Sequence, residues 1–118
     1  MPRQRRLDIV GCIYHVISRG IEKRKIFKDR NDKEEFLKRM SQALEETNTR
    51  CYSWVLMVNH FHFLLRPLSN PLSKLMRKVL SGYVGYYNAR HRRVGHLFQN
   101  RYKSILLELY QKRLEYWL

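Results

Sequence analysis

The sequence predicts one α+β domain in which an antiparallel sheet carries two helices on one face. Three observations lead there. Short alternating or β-branched runs, "CIYHVISRG", "CYSWVLMV", "HFHFLL" and "RYKSIL", read as strands. Two longer stretches repeat apolar residues at helical spacing. Their order is strand–helix–strand–strand–helix–strand, with no repeat, low-complexity tract or linker to divide the 118 residues.

The first strand runs from about Gly11 to Ser18 and ends at the turn residue Gly20. A charged loop, "IEKRKIFKDRND", follows. Asn31 with Glu34 resembles a capping box and opens a helix over about 32–47, striped by Phe36, Leu37, Met40, Ala43 and Leu44. Residues 51–58 form the next strand and meet "HFHFLLRP" through a tight turn at Val58-Asn59. Asn70-Pro71 opens a second helix, with Pro71 suited to its first position. That helix carries Leu72, Leu75, Met76, Val79, Leu80, Tyr83, Tyr86 and Tyr87, and its Gly82 and Gly85 suggest close packing. "NARHRRVG" is a basic loop, "HLFQNRYKSILLE" a final strand, and "LYQKRLEYWL" a short amphipathic helix. The element order is the split βαβ plan of ferredoxin-like folds, which leaves one sheet face open.

Charge narrows the function. Lys and Arg total 24 against 10 Asp and Glu, a net +14, which favours phosphate polymers or an anionic surface as partner. The excess is uneven. Residues 1–30 hold nine basic and three acidic groups, residues 31–50 four and five, and residues 51–118 eleven and two. No apolar run is long enough to span a bilayer, and "MPRQRRLD" is no signal peptide, so membrane is disfavoured against nucleic acid. Cys12 and Cys51 lack a C-x-x-C spacing and read as buried thiols of a reducing cytoplasm.

The stretch "VNHFHFLL" concentrates the chemistry. Period-2 alternation sends His60, His62 and Leu64 to one face and Phe61, Phe63 and Leu65 to the other. Same-face imidazoles at i and i+2, roughly 7 Å apart at Cα, can share one ion. The pair also fits two ordinary hydrogen-bonded histidines. No Cys/His cluster completes a tetrahedral zinc site, so an ion that also binds phosphate and water, Mg²⁺ or Mn²⁺, suits it better. For His15 on the first strand, packing or hydrogen bonding is favoured over ligation.

These residues carry a resemblance. His60-Phe61-His62 resembles the histidine–hydrophobic–histidine (HUH) motif of single-strand DNA endonucleases. "YHVISRGIEKRKIF", "LMVNHFHFLL" and "YNARHRRVGHLFQNRYKSIL" resemble, in that order, the REP-associated tyrosine transposases, relatives of the single-tyrosine transposases of small insertion sequences. The match covers roughly residues 1–108 in three separated blocks. Val58 departs from it, where the family often has proline. The resemblance implies a metal-assisted attack by a tyrosine hydroxyl on a DNA phosphodiester, giving a 5′-phosphotyrosine and a free 3′-OH held for rejoining. It implies as partner a hairpin with a 5′ single-stranded guide, bound by a monomer or homodimer.

The family's nucleophile lies after the "RYKSIL" strand in a Tyr-x-x-x-Asn-Pro context, whose Asn supplies a third metal ligand. Here the pattern departs after Glu108. Tyr116 is the nearest candidate, Tyr110 the weaker one, and Gln99, Asn100 or water would have to complete the ligand shell. The single domain over 1–118 thus lacks the family's usual tail, and a truncated copy that binds DNA without cutting it is the competing expectation. Arginines that follow phosphates with rings between them suit single strands. Arg3, Arg5, Arg6, Arg90, Arg92, Arg93, Arg101, Tyr102 and Lys103 form the expected DNA-contact set, while Tyr83, Tyr86 and Tyr87 are read as core. An RNA-binding ferredoxin-like module is a further alternative, disfavoured because "HFHFLL" lacks the RNP pattern of sheet aromatics.

Overall fold

Alternation along the first strand sorts its side chains between two environments. In the computed structural model, which describes residues 8–107, β1 (Tyr14–Arg19) buries Tyr14, Val16 and Ser18 and turns His15, Ile17 and Arg19 to the opposite face. A short 3-10 turn, Ile21–Lys23, leads to α1 (Arg30–Thr47), then β2 (Thr49–Met57), β3 (His60–Pro67), α2 (Leu72–Arg90) and β4 (Lys103–Leu106). Every pairing is antiparallel and the sheet order is β2-β3-β1-β4, the ferredoxin-like arrangement the element order predicts.

The core lies between the sheet and the helices. Phe61, Phe63 and Leu65 of β3 point into it, as do Phe36, Met40 and Ala43 of α1 and Leu72, Leu75, Met76, Val79, Tyr83 and Tyr87 of α2. Phe36 is its hub, with ring centroids 5.0 Å from Phe61 and 5.1 Å from Tyr83, the latter edge-on as aromatic quadrupoles favour. Tyr83 and Tyr87 are core residues, as expected, and their hydroxyls donate to the carbonyls of Ile26 and Lys25. These bonds pin the loop before α1 onto α2. Cys12 and Cys51 are free thiols, each half-buried.

The helix ends depart from the sequence reading in instructive ways. α1 begins two residues before the expected start, because Asp29, not Asn31, is its cap and accepts from the Asp32 backbone N–H at 3.0 Å. Asp32 reaches back to the N–H of Lys28 at 2.9 Å. Pro71 sits just before α2 rather than at its first position, and the carboxylate of Asp8 accepts from Leu72 and Ser73 at 2.7 and 3.2 Å, closing the exposed N-terminus from far along the chain. α2 continues to Arg90, beyond the expected loop boundary at 88. Gly85 has nothing within 4 Å of where a Cβ would sit, so it is not there for packing; at Gly82 a Cβ would meet only the Arg39 guanidinium, 2.5 Å away. The expected last strand is shorter, Lys103–Leu106, preceded by one isolated bridge between Gly20 and Phe98. The expected helix over "LYQKRLEYWL" lies outside the described residues.

Candidate metal and nucleic-acid site

The face of the sheet away from the helices holds the histidines. Antiparallel register sets Arg19 opposite His60 and Ile17 opposite His62, so β1 and β3 project these side chains side by side. The His60 and His62 rings lie 5.1 Å apart, nearly perpendicular. The two-residue turn Val58-Asn59 falls where the sequence places it, and the 20–27 segment clamps it. Gly20 donates to the Asn59 carbonyl at 2.9 Å, and Ile26 and Phe27 donate to that of Val58 at 2.8 and 3.2 Å. Gly20 is essential to this contact, since a Cβ there would lie 2.1 Å from the Arg24 carbonyl oxygen, a backbone atom that cannot swing away. Glu22 and Lys23 take left-handed φ values of 54° and 58° to make the turn.

The clamp fixes the first histidine. Asn59 Nδ2 donates to the Lys23 carbonyl at 3.4 Å, which turns its Oδ1 toward His60 Nδ1 at 2.8 Å. An amide oxygen only accepts, so Nδ1 carries the proton and Nε2 keeps a lone pair. His62 Nδ1 lies 2.9 Å from His15 Nε2, and the two rings stack with centroids 5.1 Å apart. Burial, then the neighbouring His15 and His60, hold the His62 pKa below its ordinary 6.5, which favours the neutral imidazole that a cation requires.

Around the pair opens a cleft of about 570 Å³, bounded by Ile17, Ser18, Arg19, Lys23, Asn59, His60, His62, Gln99, Asn100, Arg101 and Lys103. Four of these are cations and none is an acid. Gln99 is anchored by accepting from Arg19 Nη2 at 2.9 Å. Among the described residues no cluster of three or more His, Cys, Asp or Glu side chains forms a protein-only metal cage. The donor set is two imidazoles with the amides of Gln99 and Asn100 in the same cleft. It fits a divalent cation that retains water and phosphate oxygens better than one that needs a closed shell.

The expected contact set divides. His60, His62, Arg101 and Lys103 come together here. Arg90 does not: its guanidinium donates to Asp29 and Asp32 at 2.5 and 2.6 Å, tying the end of α2 to the start of α1. These carboxylates, from 58 or more residues earlier in the chain, occupy the guanidinium that the sequence reading offered to DNA. Arg93 braces its own loop through Asn88 and the carbonyls of Gly95 and His96, while Arg92 is exposed. Tyr102 is only 9% exposed and belongs to the core cluster, which removes its ring from base stacking. Arg3, Arg5, Arg6, Tyr110 and Tyr116 lie outside the described residues. Arg19, Lys23 and Asn59 are the site residues missing from the sequence reading. Arg19 shares parity with His15 along β1, a signal visible only once β1 is paired with β3.

The sequence matches the family model described as "Transposase IS200 like" over residues 8–113. The chain belongs to that family. No curated protein matched it. Among solved structures, this IS200-like transposase resembles one described as a REP-associated tyrosine transposase bound to a REP hairpin, with TM-score 0.71, 13% identity, and coverage of 98% of this chain and 70% of the other. It also resembles a candidate transposase from Deinococcus radiodurans R1, with TM-score 0.65, 10% identity, and coverage of 98% and 95%. At such identities the likeness speaks for the fold, and the fold agrees with the ferredoxin-like transposase architecture expected from the sequence.

Proposed function

We propose that this transposase cuts and rejoins hairpin or single-stranded DNA through a 5′-phosphotyrosine. The observation that carries the reading is the His60–His62 pair on the floor of a cleft with four cations and no acid. Arg19, Lys23, Arg101 and Lys103 hold the strand by its phosphates, and the rigid β1–β3 pairing sets the scissile phosphate against the histidines. His60 and His62, with Gln99 or Asn100 beside them, would hold Mg²⁺ or Mn²⁺, which would supply positive charge to offset the negative charge developing on the scissile phosphate. A tyrosine Oη then bonds to phosphorus as its proton passes to solvent, and the P–O3′ bond breaks with its electron pair going to O3′, which takes a proton from solvent to become a free 3′-OH. The reverse attack by a 3′-OH restores a phosphodiester and frees the tyrosine.

No tyrosine among the described residues lines the cleft. Tyr116, or failing it Tyr110, is therefore assigned the nucleophile's part. The same observation favours a second reading, DNA binding without cleavage. RNA recognition loses ground, because Phe61 and Phe63 are buried under the helices, at 0% and 1% exposure, rather than displayed for stacking.

The deciding experiment incubates a labelled DNA hairpin carrying a 5′ single-stranded extension with protein and Mn²⁺, followed by a denaturing gel. A covalent adduct that disappears in Tyr116→Phe supports cleavage with Tyr116 as nucleophile. One that disappears only in Tyr110→Phe moves the role. Binding without any adduct leaves the non-cleaving reading, and tighter binding to RNA of the same sequence would end both.

A further inference from the structure

We infer that His15 is a positioning residue for the metal site: its Nε2 accepts the Nδ1–H of His62 and so keeps the His62 Nε2 lone pair available for a cation. This rests on the reading of His60 and His62 as metal ligands, and it adds a third histidine with a different task. A neutral imidazole has one N–H and one lone pair, so a hydrogen bond at one nitrogen decides what the other can do. His62 Nδ1 and His15 Nε2 are 2.9 Å apart, and one of them donates. If His15 donates, the His62 Nδ1 lone pair is consumed and Nε2 carries the remaining proton, which leaves no nitrogen for a metal. If His62 donates, Nε2 is a lone pair. Only the second arrangement gives a ligand.

His60 is built the same way. Its Nδ1 meets Asn59 Oδ1 at 2.8 Å, an acceptor by its chemistry, and the tautomer follows. Both histidines are therefore gripped through Nδ1 by a neighbour, and among the described residues no hydrogen bond engages either Nε2. Outer partners of this kind fix the tautomer and the ring orientation of a ligand. The fold supplies the partner without a loop. Register places His15 opposite Leu64 and Ile17 opposite His62, so His15 is the diagonal same-face neighbour of His62 on the adjacent strand. A shallow, mainly apolar groove that includes Trp54, Val55, Leu64 and Leu107 flanks the two rings. His15 borders that groove and not the cationic cleft, as suits a residue that acts through another.

The test uses the full chain and Mn²⁺ alone. His15→Phe keeps an aromatic ring against His62 and removes the acceptor; Mn²⁺ affinity by calorimetry should fall roughly tenfold or more, the usual effect of losing an outer-sphere partner. His15→Gln, whose amide oxygen can accept, should recover most of it. In the metal-free protein, ¹⁵N spectra of the imidazoles should show His62 as the Nδ1–H tautomer, shifting toward Nε2–H in His15→Phe. Wild-type Mn²⁺ affinity in His15→Phe, with the His60→Ala/His62→Ala variant unable to bind, overturns the role of His15 alone. Wild-type affinity in that double variant overturns the metal reading and this inference with it. Should His15→Phe fail to fold, the tautomer in the parent protein decides: His62 found as Nε2–H refutes the assignment.

Discussion

At the scale of single residues, the histidines show how much depends on what a strand residue meets across the sheet. Alternation alone puts His60 and His62 on one face, and that much the sequence states. It cannot state that Asn59 and His15 engage their Nδ1 atoms, because those contacts depend on a clamped turn and on strand pairing. The arrangement has a pH consequence. Protons and metal compete for the same nitrogens, so metal binding weakens in acid. Burial and the adjacent His15 and His60 lower the His62 pKa below 6.5, so proton competition at this ligand begins only in more acid solution than at an ordinary imidazole. Mn²⁺ titrations between about pH 5 and 8 should show affinity declining toward the acid end. The His60→Ala/His62→Ala variant should show little binding anywhere in that range. Full binding by that variant would place the metal elsewhere.

At the scale of elements, the sheet and both helices were legible because their periodicities are strong and their apolar faces continuous. What escaped the sequence reading was where helices stop, since those ends are set by partners remote in the chain. Asp8 caps α2 from 64 residues away, and Arg90 joins Asp29 and Asp32 across the two helix termini. A run of arginines read locally looks like a free binding surface; folded, one of them is a clamp. Arg90's hydrogen bond, with the Asp32 N–H adding to it, holds Asp29 down to about 2 from an ordinary 3.8. For Asp32, burial pushes the pKa up, but the Lys28 N–H, His91 and Arg90 together outweigh it and the net shift is downward. Depressed carboxylates stabilise the fold above their unfolded pKa, and that contribution is lost as pH falls below about 4, for Asp29 toward about 2. Asp32→Asn should cost about 1–3 kcal/mol at pH 7, the range for mismatching buried hydrogen-bonding groups. It should also flatten the acid limb of the stability curve. Chemical denaturation at several pH values measures both, and an unchanged acid limb would show that the clamp does not couple the helices to pH.

At the scale of the whole molecule, the acids are unevenly placed. Five of the ten acidic residues, Asp32, Glu34, Glu35, Glu45 and Glu46, lie on α1, on the helix side, while the cleft on the opposite face gathers Arg19, Lys23, Arg101 and Lys103 with no carboxylate among its walls. The cleft is thus a patch of unopposed positive charge beside the histidines, of the sign that draws phosphates. This yields a test that separates the cleft from the 88–95 loop, which the sequence alone would have treated as one binding surface. Each phosphate neutralised on single-stranded DNA contributes roughly 0.7 to the slope of log affinity against log salt concentration. The triple variant Arg19→Ala/Arg101→Ala/Lys103→Ala should weaken binding of single-stranded DNA and reduce that slope by about 2, since three phosphates would keep their counterions. Arg92→Ala, exposed but no part of the cleft wall, should leave the slope nearly unchanged. Arg90 is a poor probe, because its removal disturbs the helix clamp before it disturbs any DNA. A slope that falls for Arg92→Ala and stays constant for the cleft triple would move the DNA path from the histidine face to the end of α2, and the proposed phosphate seat would have to be abandoned.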